Sequence, residues 1–331
     1  MIEFRKETEL AIFYDPSEEE VKEMEIEIRV DPLTGKTSRI LDKPLAQNSE
    51  GDMSDVEKDG FCPFCAGNIE KVGARDTKVL SKEMVWSGEA ALLANVTPYS
   101  EYSMVIRLSE EHYLPLEEFE QKHFTDGFKL AKEYLNKIED IEENKFPALI
   151  MNYLKPAGSS IVHPHMQLLV SENMMDHQRR LISNAEEYFE KEGSSYWDDL
   201  LEEERNGKRY IGKVGKTEWI SAFAPRGFDH VKGINLKNFL DFDDEDISDL
   251  SQSITNVLQA YSQMGRNSFN FSIFIPASTE KPKSATVIDI ITRTNLDKFY
   301  RADDFAMPKL LDEPYCNKKP EKLAKEIKVY F

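Results

Sequence analysis

The chain has 331 residues, 40% of them hydrophobic and 31% charged, and its 42 Lys+Arg against 61 Asp+Glu leave a net charge of −19. At roughly 100–200 residues per domain this is about two domains with ordinary cores, which excludes a disordered chain and a disulfide-stapled miniprotein. The negative field repels a phosphate backbone, so no nucleic acid is expected as a partner, and an anionic small-molecule substrate needs a local cluster of donors. No run approaches the roughly 20 apolar residues of a membrane span. The first residues lack the basic and apolar regions of a leader, and the cytoplasm is the expected compartment. Three cysteines, Cys62, Cys65 and Cys316, are too few for a disulfide framework.

In chain order, the first 60 residues read as polar and turn-rich. Asp31-Pro32-Leu33-Thr34-Gly35 is a turn signal, and 47–60 reads as an acidic loop. Residues 92–108 hold Val96, Tyr99, Tyr102, Val105 and Ile106 in loose alternation, which predicts one or two strands. Pro115 opens a predicted helix. Its stripe of Leu116, Phe119, Phe124, Phe128, Ala131, Leu135, Ile138 and Ile141 recurs at three-to-four spacing. Strands are predicted over 148–154 and 161–170, with the loop Lys155-Pro156-Ala157-Gly158-Ser159-Ser160 between them. Residues 174–206 predict charged helix broken at Gly193-Ser194-Ser195, its charge a solvated face. A strand over 218–224 follows, then a helix marked by Ile247, Leu250, Ile254, Val257, Tyr261 and Met264 with Asp243 or Asp244 as N-cap. Strands over 269–275 and 286–292 and a short helix over 318–328 complete the reading. Strand–helix–strand–loop–strand thus occurs twice, a diverged duplication. It divides the chain into 1–175, a helical connector 176–206, and 207–331.

Two short patterns carry chemistry. His163-Pro164-His165 places two imidazoles on one face of a strand, and Pro164 marks that strand as an edge or otherwise special one. Two surface histidines are the plainer reading. Cys62-Pro63-Phe64-Cys65 is spaced to grip one Zn²⁺, which then needs two further ligands. A redox pair and two unremarkable thiols are the alternatives. Zinc leads because His112 and His163 are available to complete the set. Of the other histidines, His123 reads as a satisfied boundary residue, His177 as solvated, and His230 as a loop residue at the surface, with substrate contact as the alternative.

Together these segments resemble the galactose-1-phosphate uridylyltransferase family, a branch of the histidine-triad superfamily. Asp31-Pro32-Leu33-Thr34-Gly35 is similar to the family's N-terminal turn, and Cys62 to Asn68 to its zinc knuckle. Asn95 with Pro98-Tyr99, His112 before Leu114-Pro115-Leu116, and Asn152, Gly158, Ser159, Ser160 and His163-Pro164-His165-Met166-Gln167 are similar to its remaining motifs in order and spacing. The resemblance implies an α+β chain of two histidine-triad-like halves, each an antiparallel sheet with packed helices. It implies one structural Zn²⁺ held by Cys62, Cys65, His112 and His163, and His165 as the nucleophile towards an α-phosphorus. Gln167 and Ser160 would stabilise charge on the transferring group, and Asn152, Gly158, Ser159 and Asn95 would bind substrate. A homodimer whose interface completes the site is implied as well.

Three departures refine the expectation. Met166 stands where the family has glycine, and its side chain is expected on the face opposite His165. The second half holds only His230, so no second metal is expected. The segment Asp304 to Pro314 departs from the hexose-phosphate pattern, which points away from galactose. The leading function is nucleotidyl transfer from a nucleotide sugar to a sugar phosphate or to phosphate. A nucleotide-sugar phosphorylase or hydrolase, and a zinc-stabilised nucleotide-binding protein without turnover, are the competing readings.

Overall fold

One order of elements occurs twice in the computed structural model, which describes residues 2–43, 53, 56, 60–142, 145–277, 285–297 and 302–331. Strands β1 (Lys6–Asp15), β2 (Glu20–Val30) and β3 (Thr37–Ile40) come first, then a one-turn helix α1 (Ile69–Val72). β4 (Val85–Ser87), β5 (Ala90–Ala94) and β6 (Tyr102–Arg107) lead through α2 (Gln121–Glu139) to β7 (Phe146–Tyr153) and β8 (His165–Ser171). After α3 (Asp176–Glu192) and α4 (Tyr196–Arg205), the order returns. It runs β9 (Tyr210–Val214), β10 (Thr217–Ser221), β11 (Phe228–Asn235), α5 (Asp244–Gln263), β12 (Phe269–Phe274) and β13 (Thr286–Thr292). Helix α6 (Ala306–Leu310), β14 (Tyr315–Cys316) and α7 (Pro320–Ile327) close the chain. The loop expected over 47–60 lies almost wholly outside the described residues.

The fold is α+β, and the two repeats share a single ten-stranded sheet in the order β4-β5-β6-β8-β7-β12-β13-β11-β10-β9. The order reads the same from either end, five strands from each repeat, with β7 and β12 meeting antiparallel at the seam. Period-two alternation sorts the side chains. Leu149, Met151, Met166, Leu168, Phe271 and Ile273 face α2 and α5 in one continuous core. The opposite face is covered at the second half by α3 and α4 through Leu181, Trp197, Leu200 and Val287, and at the first half by the Cys62–Ile69 segment.

Of the local expectations, the helix start and Ile141 need correction, while His123 and the Asp243 cap are as expected. The helix after Pro115 begins with a separate 3₁₀ turn, Leu116–Glu118, and α2 starts only at Gln121. The backbone N–H of Glu120 donates to His123 Nδ1 at 3.0 Å, so His123 is a capping residue, satisfied and buried. Ile141 falls beyond the helix and is exposed. Asp243 is the N-cap of α5, accepting from the Asp246 N–H at 2.9 Å.

The first 40 residues are not merely turns: β1, β2, β3 and β14 form a second, four-stranded sheet. β1 is exposed almost throughout, but β2 alternates strictly, with Met24, Ile26 and Ile28 against Glu23, Glu25 and Glu27, a strand signal that the turn-rich reading overlooks. The Asp31 turn is as expected, with the Gly35 N–H bonded to the Asp31 carbonyl at 2.9 Å and glycine supplying φ +69°.

Candidate active site and metal centre

Four donors converge where the Cys62 segment crosses the end of β6 and the start of β8. The ligand atoms of Cys62, Cys65, His112 and His163 lie within 4.8 Å of one another. Cys62 Sγ and Cys65 Sγ are each 3.7 Å from His163 Nδ1, and Cys65 Sγ is 3.4 Å from His112 Nδ1. A tetrahedral Zn²⁺ with bonds of about 2.3 Å to sulfur and 2.05 Å to nitrogen separates S and N by about 3.6 Å, so the donor set fits. Two of the four donors are held by hydrogen bonds of their own. Asn68 Nδ2 donates to the Cys62 carbonyl at 2.9 Å, and His163 Nε2–H donates to the Ser109 carbonyl at 2.7 Å, which leaves Nδ1 as the ligand atom. Burial pushes His163 down to about 4, so its imidazole is neutral as a ligand must be. Burial and the adjacent Cys62 thiol push Cys65 up to about 11; a bound cation would reverse that shift.

His165 opens β8. The chain from 161 to 164 is irregular rather than strand: the Leu108 N–H still reaches the Pro164 carbonyl at 3.0 Å in the β6–β8 register, but Pro164 has no N–H to return, and β8 itself is an inner strand between β6 and β7 rather than an edge. His165 Nδ1 lies 2.8 Å from the His163 carbonyl. A carbonyl only accepts, so the proton is on Nδ1 and the Nε2 lone pair is uncommitted. Burial keeps the ring below the usual imidazole range, hence neutral, and Phe64 packs edge-on against it.

The row opposite His165 holds the polar side chains of the site. Met151 pairs with Met166, so Asn152 stands across from His165, and Asn270 stands across from Asn152 on β12. Gln167 shares this face one period further on, its amide oxygen buried without a partner. Met166 points to the other face, fully buried against α2 beside Gly127. Between β7 and β8, Leu154 has φ +67° and ψ 167°, a conformation that side chains rarely adopt, and Gly158 has φ +86°. The resulting loop leaves Gly158 and Ser160 exposed, while Ser159 is buried with its hydroxyl donating to the Ile161 carbonyl at 2.6 Å. Asn95 is the outlier. It caps the turn after β5, four residues along from Ala91, which stands in the row of Arg107 and His165. That is about 13 Å of strand away.

Sequence reasoning misses three residues here. Arg107, buried at the end of β6, donates to the carbonyls of Phe64 (3.2 Å) and Glu89 (2.7 Å) and so pins the cysteine segment to the sheet. Asn270 and Arg293 come from the second half. A polar Asn270 between Phe269 and Phe271 is the one visible signal.

His177 and His230 also differ from expectation. They line a cavity between the Asp31 turn, α3, α4 and β11. His177 Nε2 is buried without a partner, and burial together with Arg226 and Lys232 pushes the ring down to about 3. His230 lies on β11, fully buried, accepting at Nδ1 from the Arg226 N–H (3.1 Å) and donating through Nε2 to Asp289 at 2.8 Å.

No protein-family profile matches the chain. An uncharacterized protein of Archaeoglobus fulgidus is 43% identical over 330 residues, covering 99% of this chain and 98% of its own. Among solved structures, a GalT-like protein of Arabidopsis thaliana superposes with a TM-score of 0.71 at 17% identity, over 91% of this chain and 98% of its own. ADP-glucose phosphorylase of Arabidopsis thaliana with bound ADP-glucose gives 0.71 at 16%, over 92% and 98%. A uridylyltransferase gives 0.69 at 18%, over 92% and 97%. At these identities what is shared is the fold.

Proposed function

We propose that this chain, which belongs to one family with the archaeal protein and has the fold of the GalT-like proteins and uridylyltransferases, is an enzyme that transfers a nucleotidyl group from a nucleotide sugar through a covalent adduct on His165. The observation that carries the reading is the hydrogen bond from His165 Nδ1–H to the His163 carbonyl, which commits one ring nitrogen and leaves the other as a lone pair beside Asn152 and Gln167. A neutral imidazole is a good nucleophile towards phosphorus and a good leaving group afterwards. In the first step Nε2 attacks the α-phosphorus and the bond from that phosphorus to the bridging oxygen breaks, releasing a sugar 1-phosphate. The imidazolium so formed keeps its Nδ1–H on the His163 carbonyl. In the second step an acceptor oxygen attacks the same phosphorus and the P–N bond breaks. Asn152, Gln167 and Ser160 supply donors to the phosphoryl oxygens, and the 155–160 loop shapes the phosphate end of the pocket.

Cys62, Cys65, His112 and His163 would hold one Zn²⁺. When bound it supplies no open coordination position and serves to anchor the residue two before the nucleophile. The acceptor is a phosphate or a sugar phosphate other than galactose 1-phosphate, because 304–314 departs from the hexose-phosphate pattern. A homodimer remains part of the proposal.

The test is intact-mass analysis after incubation with a panel of nucleotide sugars and no acceptor. Wild-type protein gains one nucleoside monophosphate and His165→Ala gains nothing while remaining folded. An adduct on the His165→Ala protein, or none on wild type with any donor, defeats the reading. In a ping-pong assay, galactose 1-phosphate exceeding every other acceptor in kcat/KM would restore galactose specificity.

A further inference from the structure

We propose that Asp303, Arg293 and Asn270 form a relay from the second half of the chain that locks the side-chain amide of Asn152 with its N–H groups towards the nucleophile. The inference deepens the nucleotidyl-transfer reading and rests on it. Each link follows from which atoms can only donate and which can only accept. The carboxylate of Asp303 takes Arg293 Nε in a forked contact, 2.9 and 2.8 Å to its two oxygens, and the pair is mostly buried. Arg293 Nη1 then lies 2.7 Å from Asn270 Oδ1. A guanidinium only donates, so the Asn270 oxygen faces Arg293 and its nitrogen faces away.

That nitrogen makes two contacts, 2.9 Å to the Ala157 carbonyl and 2.6 Å to Asn152 Oδ1. The carbonyl only accepts, which independently requires a donor at the same atom. Both hydrogens of Asn270 are therefore spent, one on the strand of the site and one on the loop that carries Gly158, Ser159 and Ser160. Asn152 must present oxygen to Asn270. Its own nitrogen, which no described residue accepts from, is left to donate in the row beside His165. An isolated asparagine could turn its amide either way; the relay removes that freedom, so the donor is in place before phosphate arrives. Asn270, Arg293 and Asp303 touch no reacting atom in this scheme and act as positioning residues.

The experiment uses full-length protein and two readouts: the single-turnover rate of His165 adduct formation, and calorimetric affinity for UMP and AMP without turnover. Asn270→Asp keeps the shape but can no longer donate, and is expected to slow adduct formation about 10²-fold, as Asn152→Ala does. Arg293→Met is expected to slow it about tenfold, Arg293→Lys to recover most of that loss, and both slow variants to weaken nucleotide binding. The deciding comparison is Asn152→Ala with and without Arg293→Met. If the relay acts through Asn152 the second change adds little, whereas a merely structural role gives the full tenfold loss again and overturns the proposal. Wild-type protein that binds a nucleotide but forms no adduct rejects the transfer reading, and the binding series then decides the relay alone. Protein that binds neither nucleotide and forms no adduct overturns both.

Discussion

Four residues at the entry to β8 carry three jobs. His163 belongs to the candidate metal cluster, His165 to the polar face beside Asn152 and Gln167, and Met166 to the core on the other face. Cys62→Ser removes one of four donors. Metal content is expected to fall well below one ion per chain and the Tm by roughly 5 °C or more, measured together by elemental analysis and calorimetry. An unchanged Tm with metal lost would mean that the cluster does not support the fold. Met166→Gly, which restores the glycine of the resembled family, is expected to cost about 3–5 kcal/mol of stability because a fully buried side chain is deleted. The adduct on His165 should still form, since the deleted group lies on the far face. His165→Gly protein should regain some transfer with an added imidazole derivative, because the cavity then accommodates the missing ring.

Among the elements, the small sheet is tied to the body by a buried cation, beside the Ser38 hydroxyl on the Pro225 carbonyl at 2.6 Å and the packing of Ile40 and Cys316 on Phe228. Arg29 on β2 donates to both carboxylate oxygens of Glu321 on α7, at 3.0 and 2.8 Å, and lies over the Phe223 ring. Burial alone would raise the Glu321 carboxyl, but Arg29 holds it down at about 2. A depressed acid stabilises the fold fully above its unfolded value near 4.5, and this is lost as the pH falls from there through about 2. The Tm difference between wild type and Glu321→Gln should therefore be large at neutral pH and shrink between about pH 4.5 and 2. A difference that is constant with pH would show that the pair contributes nothing electrostatic. This sheet was legible only in β2, where Met24, Ile26 and Ile28 alternate with glutamates; in β1, Leu10, Ile12 and Tyr14 are exposed opposite Glu25, Glu23 and Val21, so no buried face sets a period there. The helices α2 and α5 and the strand β13 were legible because each buries a continuous stripe. The site was legible where its residues cluster in sequence, at 62–65 and 158–167. It was not legible where the fold alone brings residues together, as with Arg107, Asn270, Arg293 and the burial of His177.

At the scale of the molecule, the duplication did not produce two independent bodies. Six residue pairs join β7 to β12, and the core beneath runs unbroken from α2 to α5. His165 stands two strands from that seam, with part of its polar surroundings on each side. The backbone link between the repeats, by contrast, crosses a single turn at Gly193, left-handed at φ +77°, between α3 and α4. Covalent continuity at that turn is thus expected to be dispensable once the chain has folded. A protease site introduced at Ser194 and cleaved should leave two fragments that elute as one species and melt in one transition, since parting them would bare two sheet edges and split a core. Fragments that separate on a sizing column would contradict this. In that sense the two repeats are held as one body by a ladder of hydrogen bonds and a shared core, and the peptide tether at Gly193 is expected to add little to what keeps them together.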